Sequence, residues 1–118
     1  MGAVTASVDL VSDAVFGRRE SWLLFIDQNG HAHDLIRSFA ATNDIRYKSF
    51  PLRDVPENNP RDWLKFHADE HKDISRAFGL PGPPDLSSVD LLDERQFYNW
   101  MLLHRQHHRT INKNLGLT

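Results

Sequence analysis

Two stretches of this 118-residue chain repeat each other at a constant offset of 37 residues. A Trp, two His, an Ile and a Gly-Leu pair recur at the same spacing in residues 63–80 and in residues 100–117. Repetition at a period of a few tens of residues is typical of a copied supersecondary unit. The chain is therefore expected to build its core by packing copies of one unit against each other.

A degenerate third copy precedes these two at an offset of 38. It keeps an aromatic residue, the second His and the Ile, and it has Asn in place of the first His: Phe25, His33, Ile36 and Asn29. The repeated unit is thus aromatic-x3-Asn/His-x3-His-x2-Ile. Apolar residues recur at intervals of three and four in each copy, which is the helical period.

Local signals set the expected ends of the helices. Asn59 and Pro60 are typical of a helix start, and Asp93 with Gln96 fits a capping box at the start of the next helix. A Gly ends both of the later copies. We therefore predict a mainly α fold: three antiparallel helices, one per repeat, joined by extended linkers that are strapped across them.

The first copy also admits a second interpretation. Residues 22–26 form a short apolar run, and the Gln-Asn-Gly sequence at 28–30 is turn chemistry. This order is typical of the strand-loop-helix start of thioredoxin-like folds. The alternative fold class is therefore α/β, with a thioredoxin-like N-terminal half. A Gly inside a helix costs only about 1 kcal/mol, so a helix over residues 21–42 with Ser21 as its N-cap is preferred.

Length and composition limit the organisation and the partners. The length indicates one domain, with a flexible N-terminal arm at residues 1–20 and a single helical repeat domain at residues 21–118. A net charge of -2 disfavours nucleic acid as a partner. No apolar run approaches the ~20 residues of a membrane helix, and the absence of Cys excludes thiolate metal sites.

The paired histidines lie four residues apart, so on a helix they share one face with the Trp and the Ile. A polar group on that face must find a hydrogen bond or a metal. We predict one polar seam formed by six residues: Asn29, His33, His67, His71, His104 and His108. The apolar residues beside it are predicted to anchor the core: Trp22, Trp63, Trp100, Ile74 and Ile111.

Besides an exposed histidine cluster that faces another subunit, two roles for the seam remain open at this point. In the first, each imidazole donates to a carbonyl or carboxylate and fixes the register of the helices, with no cofactor. In the second, two histidine pairs hold a metal such as Zn²⁺: His67, His71, His104 and His108. The sequence His67-x-x-Glu70-His71 also matches an inverted zinc-peptidase signature. The copy at residues 100–117 keeps both His but lacks the Glu, so packing explains the shared residues better than hydrolysis does.

The repeated unit resembles one found in small tailed-phage proteins encoded among virion-assembly genes. In those proteins, Trp-x3-Asn/His-x3-His-x2-Ile helices alternate with Asp-Leu-rich linkers and end in Gly-Leu or a similar pair. The match covers residues 25–36, 63–80 and 85–117.

The resemblance implies a non-enzymatic structural or assembly component of a tail, neck or baseplate. Such a component binds other virion proteins or copies of itself, and it is located in the virion or otherwise in the host cytoplasm. The resemblance carries over no catalytic residue.

Overall fold

The computed structural model describes residues 14–48 and 60–117. These residues form three helices: α1 (Arg19–Thr42), α2 (Pro60–Phe78) and α3 (Glu94–Leu115). Neither described stretch contains a strand, so the mainly helical prediction is confirmed and the thioredoxin-like alternative is wrong. None of the three helices is both long enough and apolar enough to cross a membrane.

Helix α1 runs straight through the predicted turn because one of its faces is buried along most of its length. The buried positions recur at the helical period: Phe25, Asn29, Gly30, Ala32, His33, Ile36 and Ala40. This burial outweighs the ~1 kcal/mol that Gly30 costs in a helix. The helix begins at Arg19, so Ser21 is not the cap, and its hydroxyl accepts the Val15 N–H at 2.6 Å instead.

Helices α2 and α3 end in the same way, as the repeat predicts. Gly79 and Gly116 follow the helices in left-handed conformations, with φ of 67° and 72°. The next residue of each copy, a Leu, donates its N–H to the carbonyl five residues earlier at 2.8 Å. At the start of α3, the Asp93 carboxylate accepts the Gln96 N–H at 3.0 Å, which confirms the predicted cap.

Equivalent residues of the three copies contact one another inside the bundle. The aromatic residues form the first such layer, with ring centroids between 5.9 and 6.1 Å apart in every pair: Phe25, Trp63 and Trp100. The isoleucines form another layer and are fully buried in one cluster: Ile36, Ile74 and Ile111. The same residues can meet at both levels only if all three helices run in the same direction.

The helices are therefore parallel around a local threefold axis, and the predicted antiparallel arrangement is wrong. Parallel helices require each connection to return along the length of a helix, which is ~28 Å for the 19 residues of α2. The linker at 79–93 is long enough, because an extended chain spans about 3.3 Å per residue. Of the linker at 43–59, only residues 43–48 lie within the described residues.

The linker at 79–93 crosses the aromatic layer and packs against it. Leu86 is 1% exposed and belongs to the core cluster around the tryptophans, with Val89 and Leu91 packed beside it. The Trp100 indole Nε1–H donates to the Leu86 carbonyl at 2.8 Å. The linker thus supplies both apolar cover and a hydrogen-bond acceptor to the end of the bundle, which confirms the predicted strap.

Part of the predicted N-terminal arm packs on the domain. Ala14 is buried in the aromatic cluster, and the Phe16 ring contacts Phe97 edge to face at 5.5 Å. The Phe16 N–H also donates to the Tyr98 hydroxyl at 3.0 Å. Residues 1–13 of the predicted arm lie outside the described residues.

Substitution of Leu86 tests whether the linker at 79–93 covers the core. Leu86→Ala is expected to lower the free energy of unfolding by about 2–5 kcal/mol, because it opens a cavity under the linker. Leu92→Ala is the matched control: Leu92 lies in the same linker but is 90% exposed, so its change should stay within about 0.5 kcal/mol. Urea unfolding followed by circular dichroism measures both, and equal effects would show that the linker does not seal the core.

Candidate metal centre

The core of the bundle is polar between the aromatic layer and the isoleucine layer. Six histidines lie there and none is more than 5% exposed: His33, His67, His71, His104, His107 and His108. The Asn29 and Glu70 side chains are fully buried among the same helices. A group of ionisable and polar side chains this large is uncommon in the interior of one small domain.

The structure places all six residues of the predicted seam in this region. The first histidine layer lies one helical turn from the aromatic layer. It consists of His67 and His104, with Asn29 at the equivalent position of the first copy. His67 stacks on Trp63 with ring centroids 4.5 Å apart, and in the next copy the equivalent His104 stacks on Trp100 at 5.0 Å. Stacking on the tryptophans holds both imidazoles by their flat faces.

The second histidine layer consists of His33, His71 and His108. Their ring centroids lie 4.9, 5.0 and 4.8 Å apart, with interplanar angles of 73–84°. The three rings therefore form an almost equilateral triangle around the local threefold axis. Each helix contributes one ring to this layer.

The predicted core anchors flank these layers. Four of them are buried: Trp63, Trp100, Ile74 and Ile111. The fifth, Trp22, is partly buried at the edge of the aromatic layer, where its ring stacks on Phe25 at a centroid distance of 5.5 Å.

Two of the second-layer rings have hydrogen-bond partners on the next helix. The Glu70 carboxylate contacts His33 Nδ1, so that this nitrogen carries a proton and donates it. His71 Nδ1 lies 2.6 Å from His107 Nδ1, and His107 Nε2 lies 3.1 Å from the Ser75 hydroxyl. These contacts engage Nδ1 of His33 and Nδ1 of His71, so neither ring uses its Nε2 in them.

Several buried ring nitrogens lack a hydrogen-bond partner among the residues that the structure describes. These nitrogens are His33 Nε2, His67 Nδ1 and both nitrogens of His108. Leaving a buried polar atom unsatisfied costs roughly 1–3 kcal/mol. His108, with neither nitrogen engaged by a described residue, could therefore take a further partner through either nitrogen.

The ring nitrogens also lie close enough together to be candidate ligands of one metal ion. One nitrogen from each of five histidines lies within 4.8 Å of all the others: His33, His67, His71, His104 and His108. In a tetrahedral zinc site the ligand nitrogens lie about 3.3 Å apart. The most distant pair would therefore have to approach by roughly 1.5 Å to share one tetrahedral ion, and such an ion takes four of the five rings.

Sequence reasoning missed part of this arrangement. It assigned His33 to the seam but not to the metal ligands, and it considered Glu70 only as a hydrolytic base. It gave His107 no role. Glu70 and His107 occupy the same position of the repeat, directly before the second His, and that shared position was the available signal.

Burial controls the protonation of the centre. Burial first, and the neighbouring imidazoles second, lower the pKa of four histidines well below the ordinary value near 6.5: His67, His71, His104 and His108. Burial also lowers the pKa of His107 to about 4, with a further contribution from His33. The rings are thus neutral at pH 7, which is the form that binds metals.

The geometry does not match the hydrolytic signature that the sequence contains. In that signature the Glu activates a water on the metal, at an open coordination position reached from a cleft. Here the Glu70 carboxylate is fully buried and contacts His33. The histidines beside it are covered as well.

Comparison with known proteins gives no relative for this chain. No family model matches it, and no match was found among the curated proteins or the solved structures.

Acid is expected to unfold the metal-free protein through these histidines. Because their pKa in the folded state lies below the unfolded value near 6.5, the unfolded chain binds more protons below that pH. Stability should be complete above about pH 6.5 and should fall as the pH drops, by about 1.4 kcal/mol per pH unit for each buried ring. Urea unfolding in EDTA from about pH 8 to about pH 5 measures this slope.

His31 provides the control for the acid experiment, because it lies on α1 but is exposed. His31→Gln should keep the slope of the unchanged protein. A free energy of unfolding that does not vary over this pH range would show that the imidazoles are solvated in solution.

Proposed function

We propose that this protein is a non-enzymatic structural protein whose three-helix domain is held together by a buried transition-metal ion. The observation that carries the proposal is the set of five buried imidazoles whose nitrogens lie within 4.8 Å of one another. The unpartnered nitrogens of His108 support it, because hydrogen bonding among the described residues leaves them unsatisfied. Zn²⁺ is the ion that we expect.

The donor set narrows the class of metal. Imidazole nitrogen suits Zn²⁺, Cu²⁺, Ni²⁺ and Fe²⁺, whereas Mg²⁺ and Ca²⁺ require oxygen ligands. Two buried oxygen donors of the centre already engage imidazoles: the Glu70 carboxylate contacts His33, and Asn29 Oδ1 lies 2.9 Å from His104 Nε2. The centre should therefore select a first-row transition metal and leave Mg²⁺ and Ca²⁺ unbound.

Charge balance supports the same conclusion. Among the residues with described burial, Glu70 is the one fully buried acid. A dication in the core needs a nearby negative charge, and a buried carboxylate needs a nearby positive charge. A metal ion bound to His33, whose Nδ1 contacts the Glu70 carboxylate, would meet both requirements.

A buried ion gives this domain a structural role. Structural zinc sites contribute directly to the free energy of folding, because the unfolded chain lacks the assembled ligands. Here the ion would join all three parallel helices at one level. The virion component implied by the repeat stays a prediction within this proposal, and co-sedimentation of the protein with purified phage particles is its test.

Elemental analysis and native mass spectrometry test the metal directly. The purified protein is expected to contain one transition-metal ion per chain, and EDTA should lower its melting temperature. His108→Ala should lose the metal because it removes the ring with two unpartnered nitrogens, whereas His31→Ala should keep it. Metal-free protein that gains no stability from Zn²⁺, Ni²⁺, Cu²⁺ or Fe²⁺ would contradict the proposal.

A further inference from the structure

We propose that four histidines bind the metal through Nε2, namely His33, His67, His71 and His108, and that His104 is excluded. We further assign Glu70 and His107 as the positioning residues of this centre. The inference rests on the proposed metal-binding function and goes beyond it by selecting four ligands from five candidates. It also replaces His104, which the sequence favoured, with His33.

The triangle of the second histidine layer has the dimensions of a three-imidazole metal site. A Zn–N bond of about 2.0–2.1 Å and a ring radius of ~1.1 Å place each centroid roughly 3.2 Å from the ion. Near-tetrahedral angles then separate the centroids by about 5 Å. The observed separations are 4.9, 5.0 and 4.8 Å.

The fourth ligand comes from the first histidine layer. His67 Nε2 lies 3.0 Å from His71 Nε2, close to the roughly 2.9–3.4 Å that separates adjacent nitrogens on one ion. His71 Nδ1 contacts His107, so its Nε2 has a free lone pair when Nδ1 is the donor. Without a metal, His67 Nε2 then donates its proton to His71 Nε2, and an ion bound by both nitrogens would displace that proton.

His104 differs from His67 because of the degenerate first copy. His104 Nε2 lies 2.9 Å from Asn29 Oδ1, and an amide oxygen only accepts hydrogen bonds. His104 Nε2 therefore carries a proton and has no lone pair for a metal, which leaves Nδ1 as the nitrogen of this ring that has one. Asn29 thus removes His104 from the Nε2 ligands of the proposed site, and the other four rings fill a tetrahedral ion.

The positioning residues follow a cyclic rule. Glu70 of α2 holds His33 of α1, and His107 of α3 holds His71 of α2. Both residues directly precede the second His of their own copy. Each one holds the second His of the preceding helix. Contacts from outside the ligand set fix the tautomer and orientation of metal-bound histidines in this way.

The residue of the first copy that corresponds to Glu70 and His107 explains why His108 has no hydrogen-bond partner among the described residues. In the first copy the same position is Ala32, which is fully buried and has no polar side-chain atom. The ring that it would hold by this rule is His108 of α3. His108 is the second-layer ring with neither nitrogen partnered among the described residues, as the rule requires.

Long-range ¹H–¹⁵N NMR of ¹⁵N-histidine protein identifies the metal-bound nitrogens without any mutation. After addition of one equivalent of Zn²⁺, the four proposed rings should show metal-bound Nε2, and His104 should keep its Nε2–H. Zn²⁺ binding through His104 would overturn the ligand assignment but not the proposed function. Failure of Zn²⁺, Ni²⁺, Cu²⁺ and Fe²⁺ to bind would overturn both.

Variants of one ligand and of the excluded ring provide a second test. His33→Ala is expected to weaken Zn²⁺ binding at least about 100-fold, and His104→Ala less than about 10-fold, in a competition assay with a chromophoric chelator. Circular dichroism of each variant establishes that it is folded. A His104→Ala loss equal to the His33→Ala loss would overturn the assignment.

The role of Glu70 is tested through the proton that it holds. Glu70→Ala should weaken Zn²⁺ binding about 10–100-fold and shift the His33 Nδ1–H resonance, while the His71 resonances stay in place. Glu70→Gln should restore most of the affinity, because the amide oxygen still accepts from His33. Equal Zn²⁺ affinity in all three proteins would show that Glu70 does not position the ligand.

Discussion

The burial of imidazoles between two apolar layers is the constraint on which the rest of this structure depends. Each ring loses its water on folding, and the lost hydrogen bonds must be replaced within the protein or by a ligand. The aromatic layer lies on one side of the rings and the isoleucine layer on the other. The same apolar layers that stabilise the bundle therefore require the buried rings to find partners among themselves or on a ligand.

The parallel direction of the helices decides which residues of the repeat meet. Three copies of one amphipathic unit place like residues at like heights only when they run in the same direction. An antiparallel neighbour would bring the aromatic end of one helix against the isoleucine end of another, so the separate aromatic and isoleucine layers would not form. The long linkers are the structural consequence, because each chain segment must return to the same end of the bundle before the next helix begins.

The sequence was sufficient to predict the helices, their common buried face and the residues of the polar seam. The helical period and the terminal signals are local, and Asp93, Gly79 and Gly116 act as such signals do. The direction of the helices was not predictable in this way, because periodicity identifies a buried face but not what lies against it. The pairing of Glu70 with His33 was hidden for the same reason, since it joins different copies.

Degeneracy of the repeat is what distinguishes the candidate ligands. Three perfect copies would place six equivalent imidazoles around the axis, whereas a tetrahedral zinc ion binds four ligands. The first copy instead has Asn29 where the others have His67 and His104, and its amide oxygen engages His104. The same copy has Ala32 where the others have a positioning residue, which leaves His108 free of hydrogen bonds to the described residues. The differences between copies thus make the symmetrical set of rings unequal, and the most divergent copy is the one that determines which four rings form the proposed site.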